Sequence, residues 1–245
     1  MNPVTSFFVD NTPAATTLMW GGPPCLLWSY GCLWLAGYLK RVKGLKTGYT
    51  RKVFHVLIFL SAVVIQMIWG LQLVCLFGVA VSVVIGYAIM RGEGHQLYEA
   101  IAREQDAPRR TYYIIAPYFA TLFGGIASNI LFGPFSVIGY LVGGIGDAAG
   151  EPIGTRWGRH RYRAPSFGRV QVTRSLEGSA GVFVVSLLAI AAGVAVCPQL
   201  HFTFRTVAML PVLATVCALL EAVSPHGWDN TVMQIVPAFM AYALL

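Results

Sequence analysis

The chain has 245 residues, of which 56% are hydrophobic and only 11% charged, and its mean hydropathy is +0.65. A soluble domain carries roughly a quarter charged residues, so this composition excludes one and indicates a polytopic membrane protein. The formal net charge of +7 does not call for a nucleic-acid partner, because the positions of the cations account for it.

A helix that crosses a bilayer needs about 20 mostly apolar residues. Residues 1–17 are polar and read as a loose tail. Apolar runs then follow at 19–39, 53–69, 71–90, 111–132, 134–149, 180–197, 206–223 and 230–245. Breaker-rich turns separate several of them: "WGLQ" at 69–72, "FGPF" at 132–135, "CPQLHF" at 197–202 and "SPHGWDN" at 224–230. The fifth run is short and glycine-rich, and reads as tilted, broken or partly buried, so seven or eight spans are expected. The expected fold class is all-α: a polytopic helical bundle forming a single membrane domain over 1–245, with no internal repeat.

Sixteen of the seventeen Lys and Arg residues lie on three loops that alternation of the spans places on one side. They are Lys40, Arg41, Lys43, Lys46, Arg51 and Lys52; then Arg91, Arg103, Arg109 and Arg110; then Arg156, Arg159, Arg161, Arg163, Arg169 and Arg174. Only Arg205 falls elsewhere. The positive-inside rule makes that side cytosolic and puts the N-terminus outside. No basic segment precedes the first apolar run, so no cleavable signal peptide is expected. An anionic inner leaflet attracts such cations by about 1 kcal/mol each. The five cysteines form no Cys-x-x-Cys pair and read as small apolar packing residues.

The loop at 91–110 places Leu97, Tyr98 and Ile101 on one side of a helix and charge on the other. It reads either as an interfacial helix on the cytosolic face or as a solvated connector.

Of the ten acids, Asp147, Glu151, Glu177, Glu221 and Asp229 lie at or near the cytosolic ends of expected spans. If the fifth helix continues through Asp147, that residue and Glu151 stack four apart on one face. Two such carboxylates repel unless a cation or proton intervenes, and oxygen ligands at this spacing suit Mg²⁺ completed by substrate phosphates. Pro152 could end this helix or begin another, and two residues ending a helix in water is the plainer alternative.

Gly146, Gly150, Gly154 and Gly158 recur every four residues after Gly139 and Gly143. Such a ladder serves close helix packing or leaves backbone N–H groups bare for phosphate. "RWGRHRYR" follows it directly, and arginine forks grip phosphate, though such cations also set topology. In "RSLEGS", Ser175 and Ser179 are placed to cap a helix, whose N-terminus with Arg174 at its mouth is also a phosphate site. His226, Asp229 and Asn230 crowd the turn at 224–230, and "RKVFH" places Arg51, Lys52 and His55 at the start of the second span. A buried packed His55 and snorkelling Arg51 and Lys52 are the plainer readings there. Acids for metal, cations for phosphate and apolar walls on one membrane face make an inventory for phosphoryl or nucleotidyl transfer to a lipid. There is no Walker A pattern and no protein-kinase motif set. A transporter or lipid-binding scaffold is the other class, and the absence of repeats and of midplane charge argues against it.

"TRKVFH", "GDAAGEPIGTRWGRHR", "RSLEGSAGVF" and "DNTVMQIVP", in this order, resemble the membrane-embedded CTP-dependent lipid-alcohol kinases, which include dolichol, phytol and diacylglycerol kinases. The likeness covers residues 50–237 and is most specific in the second and third blocks. A weaker similarity to phosphatidate cytidylyltransferases makes cytidylyl transfer the second reading, although "SPHGWDN" stands where a His-Gly-Gly and Asp-Arg-x-Asp pattern is expected.

The resemblance implies a CTP-dependent kinase that phosphorylates a polyprenol, phytol or similar isoprenoid alcohol at the cytosolic membrane face. Asp147, Glu177 and His55 are the implied catalytic residues, and Asp147, Glu151 and Asp229 the Mg²⁺ ligands. The nucleotide falls to Arg51, Lys52, Gly154, Arg156, Gly158, Arg159, Arg174, Ser175, Gly178, Ser179 and Asn230, with residues 150–179 as a cytosolic active-site loop.

Overall fold

A computed structural model describes residues 2–165, 172–225 and 227–245. The fold is largely helical with one two-stranded antiparallel sheet. It divides into two compact units, Met1–Ile114 and Ile115–Leu245. Among the described residues, five helical stretches are long and apolar enough to cross a bilayer: Thr47–Trp69, Leu71–Arg91, Tyr112–Trp157, Leu176–Val196 and Phe204–Val223. The chain is a membrane protein.

In the first unit, the tail expected to be loose contains helix α1 (Pro3–Asp10), started by Asn2 capping the Val4 N–H at 3.0 Å. Helices α2 (Ala15–Lys43), α3 (Thr47–Trp69) and α4 (Leu71–Arg91) follow. Helix α2 sits at the first expected span but is not among the five apolar stretches, because tryptophan, tyrosine, proline and glycine dilute its leucines. It ends at Gly44, whose φ of 65° only glycine adopts cheaply, with Lys40, Arg41 and Lys43 in its last turn on the negative end of the helix dipole.

In the loop at 91–110, Gln96–Ile101 (α5) is α-helical and a 3₁₀ turn follows at Glu104–Asp106. Leu97, Tyr98, Ala100, Ile101 and Ala102 are all buried, with α5 packed against α2 and α3. Polar ties hold it there. Lys40 Nζ donates to Thr47 Oγ1 at 2.6 Å, to the Glu99 carbonyl at 2.9 Å and to Glu104 Oε1 at 2.6 Å. Arg110 grips Glu99 with both terminal nitrogens, at 3.2 and 2.7 Å. Burial alone would raise the Glu99 carboxyl; Arg110, the Gly94 N–H and Lys40 outweigh it and hold it at about 2.

In the second unit, α6 (Tyr112–Phe132, whose first turn belongs to the first unit) is followed by a 3₁₀ turn at Gly133–Phe135, α7 (Ser136–Leu141), a π-helical turn at Val142–Gly146 and α8 (Asp147–Trp157). The fifth expected span is therefore broken rather than straight, and helix does continue through Asp147 and past Pro152. Strands β1 (Arg161–Ala164) and β2 (Val172–Ser175) form a hairpin that was not expected. Helices α9 (Leu176–Val196), α10 (Phe204–Val223) and α11 (Asp229–Leu244) complete the unit. Helix α11 has 16 residues and is not among the five apolar stretches, although it occupies the last expected span.

Polar side chains pin α11 to α6. Asn230 Nδ2 donates to the Pro117 carbonyl at 3.2 Å and to Thr121 Oγ1 at 2.8 Å, Thr231 donates to the Ala120 carbonyl, and Gln234 donates to the Thr121 carbonyl. In an apolar solvent every such backbone acceptor needs a partner, so a proline-containing helix and its neighbour share donors.

Candidate active site at one end of the second unit

The end of α8, the hairpin, the start of α9, the end of α10 and the start of α11 meet at one end of the second unit. Helix α8 lies close along α9 because their facing residues are small. A Cβ on Gly154 would stand 2.9 Å from Ser175 Oγ, and one on Gly178 would stand 2.9 Å from the Gly150 carbonyl oxygen. Gly146 meets Ser186, Gly158 meets Ser175 and Gly181 meets Ile153 with equally little room. The glycine ladder is thus a packing surface against α9, with protein covering the positions where side chains would be.

Ser175 is the N-cap of α9, accepting from the Gly178 N–H at 3.1 Å. Glu177, in the first turn, holds the α8–β1 connection: it accepts from the His160 backbone N–H at 3.3 Å and lies 2.7 Å from His160 Nδ1. The His160 side chain itself is 74% exposed. Ser179 lies 2.7 Å from the Tyr162 hydroxyl.

The hairpin sorts its arginines by strand alternation. Arg161 and Arg163 share one face and are exposed, whereas Tyr162 and its cross-strand partner Arg174 share the other. Arg174 points inward, its side chain only 11% exposed. Its Nε donates to Glu221 Oε1 at 3.0 Å and its Nη2 to Asp229 Oδ2 at 3.2 Å, and these two carboxylates are 10% and 15% exposed. Its Nη1 is buried with no hydrogen-bond partner among the described residues. A buried donor left unmade costs about 1–3 kcal/mol, so this corner of the guanidinium is where an external oxygen would be most strongly held.

Two further carboxylates lie on α8. Asp147 is buried at the start of α8 and Glu151 stands one turn further on. Between them, a Cβ on Gly150 would lie 3.6 Å from Glu221 Oε1, which brings α8 against the Arg174 cluster. Among the described residues, no three His, Cys, Asp or Glu side chains gather closely enough to enclose a metal ion.

The chain is similar to a phytol kinase. It is 33% identical over 137 residues to the phytol kinase of Synechocystis sp., a stretch covering 51% of this chain and 54% of that protein. The chain therefore spans about half the length of this curated relative. No family model and no solved structure matches it.

The remaining expected residues belong to both units. Arg156 stacks its guanidinium on Trp157, 4.9 Å from the ring centre, and Arg159 is exposed. Asn230 has its amide donors engaged with α6. Arg51, Lys52 and His55 lie half-buried on α3 in the first unit, with the His55 ring 4.6 Å from that of Phe59. His226 and Arg169 lie outside the described residues. Glu221 is the site residue to which the sequence reading assigned no role, although its position at the charged end of a span was visible.

Proposed function

We propose that this protein is a membrane kinase that transfers the γ-phosphate of CTP to the hydroxyl of an isoprenoid alcohol such as phytol or a polyprenol. The chain crosses the bilayer seven or eight times with its N-terminus outside, and the site opens on the cytosolic face. The observation that carries this reading is Arg174: an inward-facing guanidinium, fixed on two nitrogens by carboxylates, with its third nitrogen buried and unmatched. Arginine in a fixed orientation is the residue suited to phosphate oxygens. The similarity to a phytol kinase supplies the acceptor class.

The donor set also fits Mg²⁺. Asp147, Glu151 and Asp229 are oxygen donors, and Mg²⁺ is commonly held by one or two carboxylates plus substrate phosphates. Asp147 and Glu151, one turn apart on α8, would supply one or two of its ligands and the substrate phosphates the others. When bound, the ion neutralises charge on the phosphates, which is the chief demand of phosphoryl transfer. Arg174 binds the nucleotide's phosphates through Nη1. The alcohol enters from the bilayer, its oxygen attacks the γ-phosphorus in line, the bond to the β,γ-bridging oxygen breaks, and CDP leaves. The hydroxyl proton passes to the Glu177–His160 pair.

The test is a transfer assay with purified protein in detergent, using γ-labelled CTP or ATP and Mg²⁺. The acceptor panel is phytol, geranylgeraniol, a polyprenol, diacylglycerol and phosphatidic acid. Label in an isoprenoid alcohol from CTP is the expected result. Cytidylyl transfer to phosphatidic acid without γ transfer would replace the kinase reading with a cytidylyltransferase, and substrate flux without nucleotide turnover would replace it with a transporter.

A further inference from the structure

Arg174 is held by contacts of two different kinds. Asp229 belongs to the first turn of α11 and meets the terminal Nη2, whereas Glu221 belongs to the last turn of α10 and meets Nε, the nitrogen nearest the stem. A single contact at Nη2 leaves the planar guanidinium free to roll about its long axis. A second at Nε fixes the plane and so fixes where Nη1 points. The Glu221 carboxylate is itself confined: it is buried, and α8 packs beside it at Gly150, where a Cβ would lie in ordinary contact 3.6 Å from Oε1 and 3.8 Å from Cδ.

We propose that Glu221 is a positioning residue that orients Arg174 Nη1 toward the nucleotide's phosphates. This rests on the reading of Arg174 as a phosphate ligand. Glu221 touches neither substrate nor the reacting atoms; it acts through Arg174, and its removal weakens nucleotide binding without altering the lipid site.

A double-mutant cycle on the full chain in detergent tests this, reading KM for nucleotide, KM for the lipid alcohol and kcat for wild type, Arg174→Ala, Glu221→Ala and the double variant. Arg174→Ala is expected to raise the nucleotide KM about tenfold or more, Glu221→Ala to do nearly the same, and the double variant to be no worse than Arg174→Ala. Glu221→Gln, which keeps an acceptor for Nε, recovers most of the loss. Glu221→Asp keeps the charge but withdraws the carboxylate from Nε, and covers the case in which the alanine variant does not fold: a several-fold rise in nucleotide KM with the lipid KM unmoved is expected. An unchanged nucleotide KM in Glu221→Asp or Glu221→Ala, or effects that multiply in the double variant, would overturn the inference while leaving the kinase reading intact. Wild-type protein that transfers no phosphate from any nucleotide would overturn both.

Discussion

Substituting alanine for Gly178 distinguishes the two uses of a glycine-rich surface. The added Cβ would stand 2.9 Å from the Gly150 carbonyl oxygen, 3.2 Å from Ser175 Oγ and 3.5 Å from Gly154 Cα. Two of these neighbours are backbone, so relief requires α8 to move off α9 rather than a side chain to swing. Overpacking of this kind costs about 1–3 kcal/mol, set against a helix-propensity gain of at most about 1 kcal/mol for Gly→Ala. Gly86, in α4, has nothing within 4 Å of a built Cβ and serves as the control, where only the propensity gain applies. The two variants should therefore differ by about 2 kcal/mol, a gap of several degrees in unfolding midpoint for a chain of this size. Thermal unfolding in detergent at one scan rate measures it, with nucleotide KM determined in parallel. Gly178→Ala that unfolds alongside Gly86→Ala but binds nucleotide poorly would refute the packing account and make this backbone a phosphate surface.

Two further predictions follow from the charged residues. On the kinase reading, Asp147→Ala is expected to abolish phosphoryl transfer while circular dichroism shows the helical content retained; full activity would remove Asp147 from the mechanism. Glu99, 25% exposed, has its carboxyl lowered from 4.5 to about 2, so its contribution is complete above pH 4.5 and lost as pH falls toward 2. At about 1.4 kcal/mol per unit, discounted for partial exposure, wild type should exceed Glu99→Gln by on the order of 2 kcal/mol at pH 7. That margin should shrink between pH 4.5 and 2 in unfolding measurements, and a margin independent of pH would show that Arg110 and Lys40 do not act through the charge.

The helices were legible because a bilayer imposes a length and a polarity on each. The run expected at 53–69 is the body of α3, and that at 206–223 is α10 almost to the residue. The failures share a cause in non-local contact. "RYRA" and "VTRS" alternate as strands do, but four residues of alternation among arginines is too short a signal, and only cross-strand pairing makes a sheet of it. Leu97, Tyr98 and Ile101 have the spacing of an amphipathic helix; what the sequence could not show is that Lys40 and Arg110 tie this segment down and that all three side chains are buried within the first unit. The glycine ladder was ambiguous for the same reason, since packing and phosphate approach both require bare backbone, and the sequence does not show that Ser175 and Gly178 lie opposite it.

The arginines show why the site was harder to read than the fold. Topology requires cations at the cytosolic ends of spans, whatever the protein does, so a functional arginine there is hidden among others by composition alone. What separates them is desolvation. An exposed arginine such as Arg161 costs nothing to place and is screened by water and salt, whereas turning Arg174 inward is costly unless carboxylates compensate. Glu221 and Asp229 supply that compensation at Nε and Nη2, through contacts that join β2 to the end of α10 and the start of α11. No local pattern in the sequence announces this, because the three residues lie up to 55 positions apart and only the fold brings them together.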